Sequence, residues 1–142
     1  MKYMLIMRQP AEVELPADLD FTAIVNAMGA YNESLMEAGV LLAGEGLAPA
    51  EEGLVIDFEQ TPPLVTDGPY GEVKELFNGF WIIQTATREE AVEWAKRCPL
   101  GPGMKLELRR VTETEEFDQE NEYVQKEYGW REQLGTDKPV GA

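Results

Sequence analysis

Two short runs of this chain are apolar at every position: Tyr3-Met4-Leu5-Ile6-Met7, and Phe80-Trp81-Ile82-Ile83 past the midpoint. Both are brief, and the second is made of continuous β-formers, so both read as strands. Successive side chains of a strand point to opposite faces of its sheet. Each strand is therefore apolar on both faces, Met4 and Ile6 against Leu5 and Met7 in the first and Trp81 and Ile83 against Ile82 in the second, and both faces need cover. One layer of helices satisfies only half of that demand.

The segments between supply the helices. Asp20 is placed to cap a helix whose apolar residues Phe21, Ile24, Val25, Met28, Leu35 and Met36 recur at helical spacing, with Tyr31 between them. Gly39 ends it. Val40 to Leu47 reads as a strand in which Gly44 and Gly46 mark a bulge or a close backbone approach. Leu54 to Phe58 and Leu64 to Thr66 read as extended pieces on either side of Thr61-Pro62-Pro63, and Asp67-Gly68-Pro69 makes a turn. The clearest strand is Gly79 to Thr87. Thr87 and Glu90 form a capping-box pattern for a helix that ends at Cys98-Pro99. Met104, Leu106 and Leu108 then alternate with charged residues, as a half-buried strand near a sheet edge does. Thr112 and Glu115 suggest another capping box, with a helix over 115–134.

The order is β-α-β-(β)-β-α-β followed by a helix. The class is α+β, with the split pattern of a ferredoxin-like protomer over residues 1–111 and an acidic helix and tail over 112–142. A second copy of the sheet is the economical cover for its bare face, so a homodimer is expected. The appended helix is the competing cover.

Composition removes several functions. The chain has 142 residues, a net charge of −15, no histidine and one cysteine. An intrachain disulfide, an imidazole base and His-ligated zinc are all excluded. Phosphate binding draws on Lys and Arg, so no nucleic-acid partner is expected. No apolar run approaches the roughly 20 residues of a membrane span. The lone cysteine and the lack of an export signal point to the cytoplasm. No cofactor motif is read: Gly44-Glu45-Gly46 lacks the third glycine and the following helix of a phosphate loop. The acids between Glu113 and Glu122 lack calcium-loop spacing, so no metal is assigned.

The residues are also familiar. Ala43-Gly44-Glu45-Gly46-Leu47, Val65-Thr66-Asp67-Gly68-Pro69-Tyr70, Glu72-Val73-Lys74-Glu75, Gly79-Phe80 and Glu90-Ala91-Val92-Glu93-Trp94-Ala95-Lys96-Arg97-Cys98-Pro99 resemble the DGPF-domain branch of the YCII-related family. The likeness runs from residue 2 to about 111. It implies a ferredoxin-like protomer pairing into a dimeric α+β barrel. The His–Asp chemistry associated with some YCII-like proteins does not carry over. This chain has no histidine, and Cys98-Pro99 stands where the broader pattern has Asp-Pro.

Asp67, in a turn beside a glycine, reads as a proton acceptor at a cleft or as ordinary Asp-Gly turn chemistry. Glu45, between two glycines, reads as a second carboxyl or a solvated edge residue. Tyr70 offers a hydrogen-bond donor. Arg8 and Lys74 can anchor a small acid or pair with protein carboxylates. Trp81 reads as pocket wall or core. Cys98, after a helix C-terminus, reads as a small buried hydrophobe. Two functions follow as expectations. One is a small-molecule protein performing proton transfer, isomerisation or elimination on a small organic acid. The other is a non-catalytic ligand-binding or interaction module.

Overall fold

The computed structural model describes residues 1–69 and 73–139. The strands are β1 (Lys2–Pro10), β2 (Leu41–Gly46), β3 (Leu54–Asp57), β4 (Leu64–Asp67), β5 (Glu75–Gln84) and β6 (Lys105–Arg110). The helices are α1 (Phe21–Glu37), α2 (Arg88–Lys96) and α3 (Glu122–Leu134). Strands β2-β5-β1-β6 form one antiparallel sheet in that order, and β3-β4 form a separate two-stranded hairpin. This mixed α+β arrangement is compatible with a ferredoxin-like fold. No described helix is long and apolar enough to cross a membrane.

Both apolar runs fall on central strands. Tyr3, Leu5, Trp81 and Ile83 are buried beneath Tyr31 and Leu35 of α1 and Ala91 of α2, with Leu5, Leu35, Ile83 and Ala91 fully buried. Tyr31 packs edge-on against Trp81, with ring centroids 5.6 Å apart, and its hydroxyl donates to the Trp94 carbonyl at 3.0 Å. One side chain thereby joins α1, α2 and the sheet. Burial pushes the Tyr31 pKa well above the ordinary phenol range.

The local stops and starts follow the sequence closely. The Asp20 carboxylate accepts from the Ala23 amide at 3.0 Å, and the Thr87 hydroxyl accepts from Glu90 at 3.1 Å. Gly39 adopts φ +68°, the left-handed conformation that a helix exit favours in glycine. The register shift in β2 falls between Leu41 and Ala43, ahead of the glycines expected to carry a bulge, which pair regularly, and β6 is an edge strand.

Three expectations need correction. Strand β5 begins at Glu75, not Gly79. Its first residues pair with β1 beyond a bulge at Met7/Arg8, where Arg8 faces Phe77. The first half of α1 is not core: Phe21, Ile24 and Val25 remain exposed, and Tyr31 and Leu35 carry the burial. The helix expected over 115–134 begins only at Glu122. Before it, Thr114–Glu116 form a single 3-10 turn whose capping box is Glu113 with Glu116, one residue on from the expected Thr112 and Glu115, the Glu116 carboxylate accepting from the Glu113 amide at 2.8 Å. Side chains then capture the backbone: Asp118 accepts from Glu120, and Gln119 donates to the Thr114 and Phe117 carbonyls. Such local bonds compete with helix propagation. Asn121 caps α3 by accepting from Tyr123 at 2.9 Å.

The second face of the sheet carries Met4, Ile6, Phe80 and Ile82, placed side by side by the register. Helix α3 reaches only one end of it. A groove of about 470 Å³ separates Ile82 and Val111 from Trp130 and Leu134, and both of those α3 side chains are exposed.

Candidate functional site

A cavity of about 240 Å³ lies between α1 and the β2–β5 side of the sheet. Its shape comes from missing side chains. Gly44, Gly46 and Gly79 leave three neighbouring strand positions bare, and Met28 and Asn32 of α1 overhang them. Met7 and Trp81 add apolar side-chain wall, while Glu45 and Phe80, paired with each other and alternating with the floor residues, contribute backbone and turn their side chains to the other face of the sheet.

The three glycines differ in what they permit. A Cβ on Gly44 would stand 3.0 Å from Cδ1 of Trp81. A Cβ on Gly79 would stand 2.9 Å from the Glu45 carbonyl oxygen and 3.3 Å from Cα of Gly46. That contact is with backbone, so β2 could not keep its place beside a larger residue. A Cβ on Gly46 would meet nothing within 4 Å. Close strand approach therefore requires Gly79, while Gly46 is simply empty space.

Asn32 gives the wall its fixed polar point. Its side-chain oxygen accepts the Trp81 indole N–H at 2.7 Å. This bond orients the indole and aligns the amide of Asn32. Sequence reasoning did not single out Asn32. The available signal was a polar residue beside Tyr31 within an apolar helical stripe.

Of the expected site residues the structure brings the Trp81 side chain to this cavity, whereas Glu45 lends it backbone and carries its carboxylate on the opposite face of the sheet. Asp67 is exposed at the end of β4, opposite Leu54, and is not among the lining residues. Arg8 is held by carboxylates on both sides, pairing with Glu75 and lying 3.5 Å from Glu107. Lys105 also holds Glu75, at 2.7 Å. The hydrogen bond from Lys105, aided by the Arg8 charge, keeps the Glu75 carboxyl below its usual range. Lys74 is exposed, makes no ion pair among the described residues, and its carbonyl accepts from Ala11 at 3.0 Å. Tyr70 lies outside the described residues. Cys98 packs against the core, and burial pushes its thiol up to about 11, the opposite of what a nucleophile needs. Among the described residues no group of three acidic, cysteine or histidine side chains is placed to hold a metal ion.

The acids after residue 112 have structural partners. Glu116 pairs with Arg110 through both carboxylate oxygens, and Glu127 accepts from Arg131 at 2.7 Å. The hydrogen bond from Arg110 lowers the Glu116 pKa to about 2.

Fold and cavity together describe a small α+β protein with an antiparallel sheet, helices on one face and a glycine-floored space beneath the first of them. The YCII-related domain model matches residues 1–135, and the chain belongs to that family. The match extends through α3, past residue 111. A curated protein of Rhizobium meliloti (strain 1021), itself described as uncharacterised, is 29% identical over 73 residues. That alignment covers 51% of this chain and 59% of the relative, so little more than half of the relative's length is matched.

Proposed function

We propose that this chain is a small-molecule-binding protein of the YCII type, with its ligand held between α1 and the glycine floor. The observation that carries the reading is the cavity itself: apolar walls from Met7, Met28 and Trp81 over a glycine floor, with Asn32 as the fixed polar group. Ligand sites have this composition, with a few polar groups fixing orientation. Its volume of about 240 Å³ falls below the roughly 300–1,000 Å³ of drug-sized sites, so a ligand of few heavy atoms is indicated.

Charge narrows the class. Among the described residues no Lys or Arg lines the cavity, and the whole chain carries −15. An uncharged or cationic ligand fits this setting better than the organic acid that Arg8 would have anchored. The register turns the Glu45 carboxylate to the opposite face of the sheet, so binding, not proton transfer, is the reading this cavity favours. The protein acts as a homodimer, an arrangement supported by the apolar second face of the sheet. The single thiol supports a cytoplasmic setting.

The test is a thermal-shift panel of neutral amides, lactones, primary amines and monocarboxylic acids on wild type and Gly46→Val. A ligand at 100 times its dissociation constant adds about 2.7 kcal/mol. At roughly 2–4 °C per kcal/mol the shift is easily read. A Cβ at 46 meets nothing within 4 Å, so Gly46→Val should lose the shift while keeping the baseline melting temperature. Hits that survive in Gly46→Val, or silence across the panel, would overturn the assignment.

A further inference from the structure

An indole carries a hydrogen-bond donor and no acceptor. The Asn32 atom 2.7 Å from Nε1 of Trp81 is therefore the side-chain oxygen, and the amide nitrogen stands on the other side. The indole is not free to turn. Trp81 is 8% exposed and meets the edge of Tyr31 at 83°. Tyr31 is tied in turn to α2 through its hydroxyl. Exchanging the two ends of the Asn32 amide would set one donor against another and lose the bond.

The Asn32 nitrogen has no hydrogen-bond partner among the described residues, and it is not among the polar atoms sealed inside the protein. Asn32 lines the cavity opposite the glycine floor, where Met7, Met28 and Trp81 are its apolar neighbours. The floor adds little polarity, because the N–H and C=O groups of paired strands lie along the ladder in the plane of the sheet. The cavity therefore presents one oriented donor on an otherwise apolar surface.

We propose that the Asn32 side-chain nitrogen selects the ligand: a small uncharged molecule whose polar group is a carbonyl oxygen with no N–H beside it, as in a tertiary amide or a lactone. Resting on the binding reading above, this choice separates the two ligand classes left open there. The carbonyl oxygen accepts from Nδ2 of Asn32, and the apolar remainder lies on the floor against Met7 and Met28. A cation finds no matching acceptor, since the Asn32 oxygen is held by the indole and the Glu45 carboxylate is on the other face of the sheet. A carboxylate could accept the bond, but it would enter an apolar space with no Lys or Arg in its lining, in a chain of charge −15. An N–H on the ligand would be desolvated and left unpaired.

Three probes of similar size separate these classes: N-methylpiperidone, a tertiary amide; cyclohexylamine, a cation at neutral pH; and cyclohexanecarboxylate. Each is titrated into the full chain and followed by melting temperature and by the side-chain amide resonances of Asn32. In wild type, N-methylpiperidone should bind about tenfold or more tighter than either charged probe and should move the Asn32 amide protons. Asn32→Asp keeps an oxygen for the indole and replaces the donor by a carboxylate, so cyclohexylamine should become the preferred probe. Damaged packing alone would weaken all three probes and leave their order unchanged, and that result would overturn the role of Asn32. Wild type binding cyclohexylamine as tightly as N-methylpiperidone, with both lost in Gly46→Val, would also overturn it and leave the cavity as a binding site. Asn32 resonances that stay still when N-methylpiperidone binds would overturn it whether or not Asn32→Asp folds. Silence from every probe would remove the cavity reading and the selecting donor together.

Discussion

Leu5 and Ile83 are fully buried, while Met4 and Ile82, one residue along the same strands, face a surface that the protomer leaves partly open. Both sets are equally apolar in sequence. The difference is what stands opposite. Two amphipathic helices close the first face, whereas the second receives only the edge of α3. Apolar periodicity thus states that a face must be covered, and says nothing of whether the cover belongs to the same chain.

Stability measurements can sharpen or break that contrast. The largest effect is expected for Leu5→Ala, at about 2–5 kcal/mol, because a fully buried leucine leaves a cavity when truncated. Met4→Ala in dilute protein should cost below about 1 kcal/mol, as substitutions away from a closed core do. Urea unfolding of both variants at two protein concentrations reads the comparison. Equal losses in dilute solution would mean that the second face is already closed within one chain.

A smaller contrast divides the floor of the cavity. Gly79→Ala should destabilise by about 1–3 kcal/mol, since its Cβ meets the backbone of β2. Gly46→Val should be neutral or mildly stabilising, since a glycine in a strand interior weakens it. Thermal melts of the pair check the order, and a reversal would show that the floor can rearrange.

The smallest effect belongs to Glu116. Its folded pKa lies near 2 against an ordinary 4.5. A depressed pKa gives stability that is present above the unfolded value and lost as pH falls through the folded one. Glu116→Gln should therefore melt below wild type at about neutral pH, with the gap closing as pH falls from about 4.5 toward 2. A gap that persists in acid would assign the effect to packing.

The elements with local signals were legible in the chain. Asp20 and Thr87 announced their helices through side-chain caps, and alternation announced β6. The Glu75 end of β5 was hidden because its polar residues pair across a bulge, which periodicity cannot register. The start of α3 was hidden because one capping pattern serves a single turn as well as a long helix. At the site, Trp81 was legible as an individual residue and its bond to Asn32 was not, while the alternation that turns Glu45 away from the floor follows from its place between two glycines. The cavity depends on absent side chains at 44, 46 and 79, and on a helix that returns Asn32 to them. The Asp67 turn was legible too, but its place on a hairpin that stands off the sheet follows from tertiary structure alone.

The unequal freedom of the three floor glycines has a consequence for how such a protein can diversify. Position 79 is locked by backbone, and position 44 by the indole of Trp81. Position 46, alone of the three, has open space within 4 Å of where a Cβ would stand. A single codon therefore acts as a dial on the volume offered to a ligand: alanine, valine and leucine there would shorten the accepted molecule stepwise on an unaltered scaffold. New ligand preferences can arise at that position without first loosening the fold.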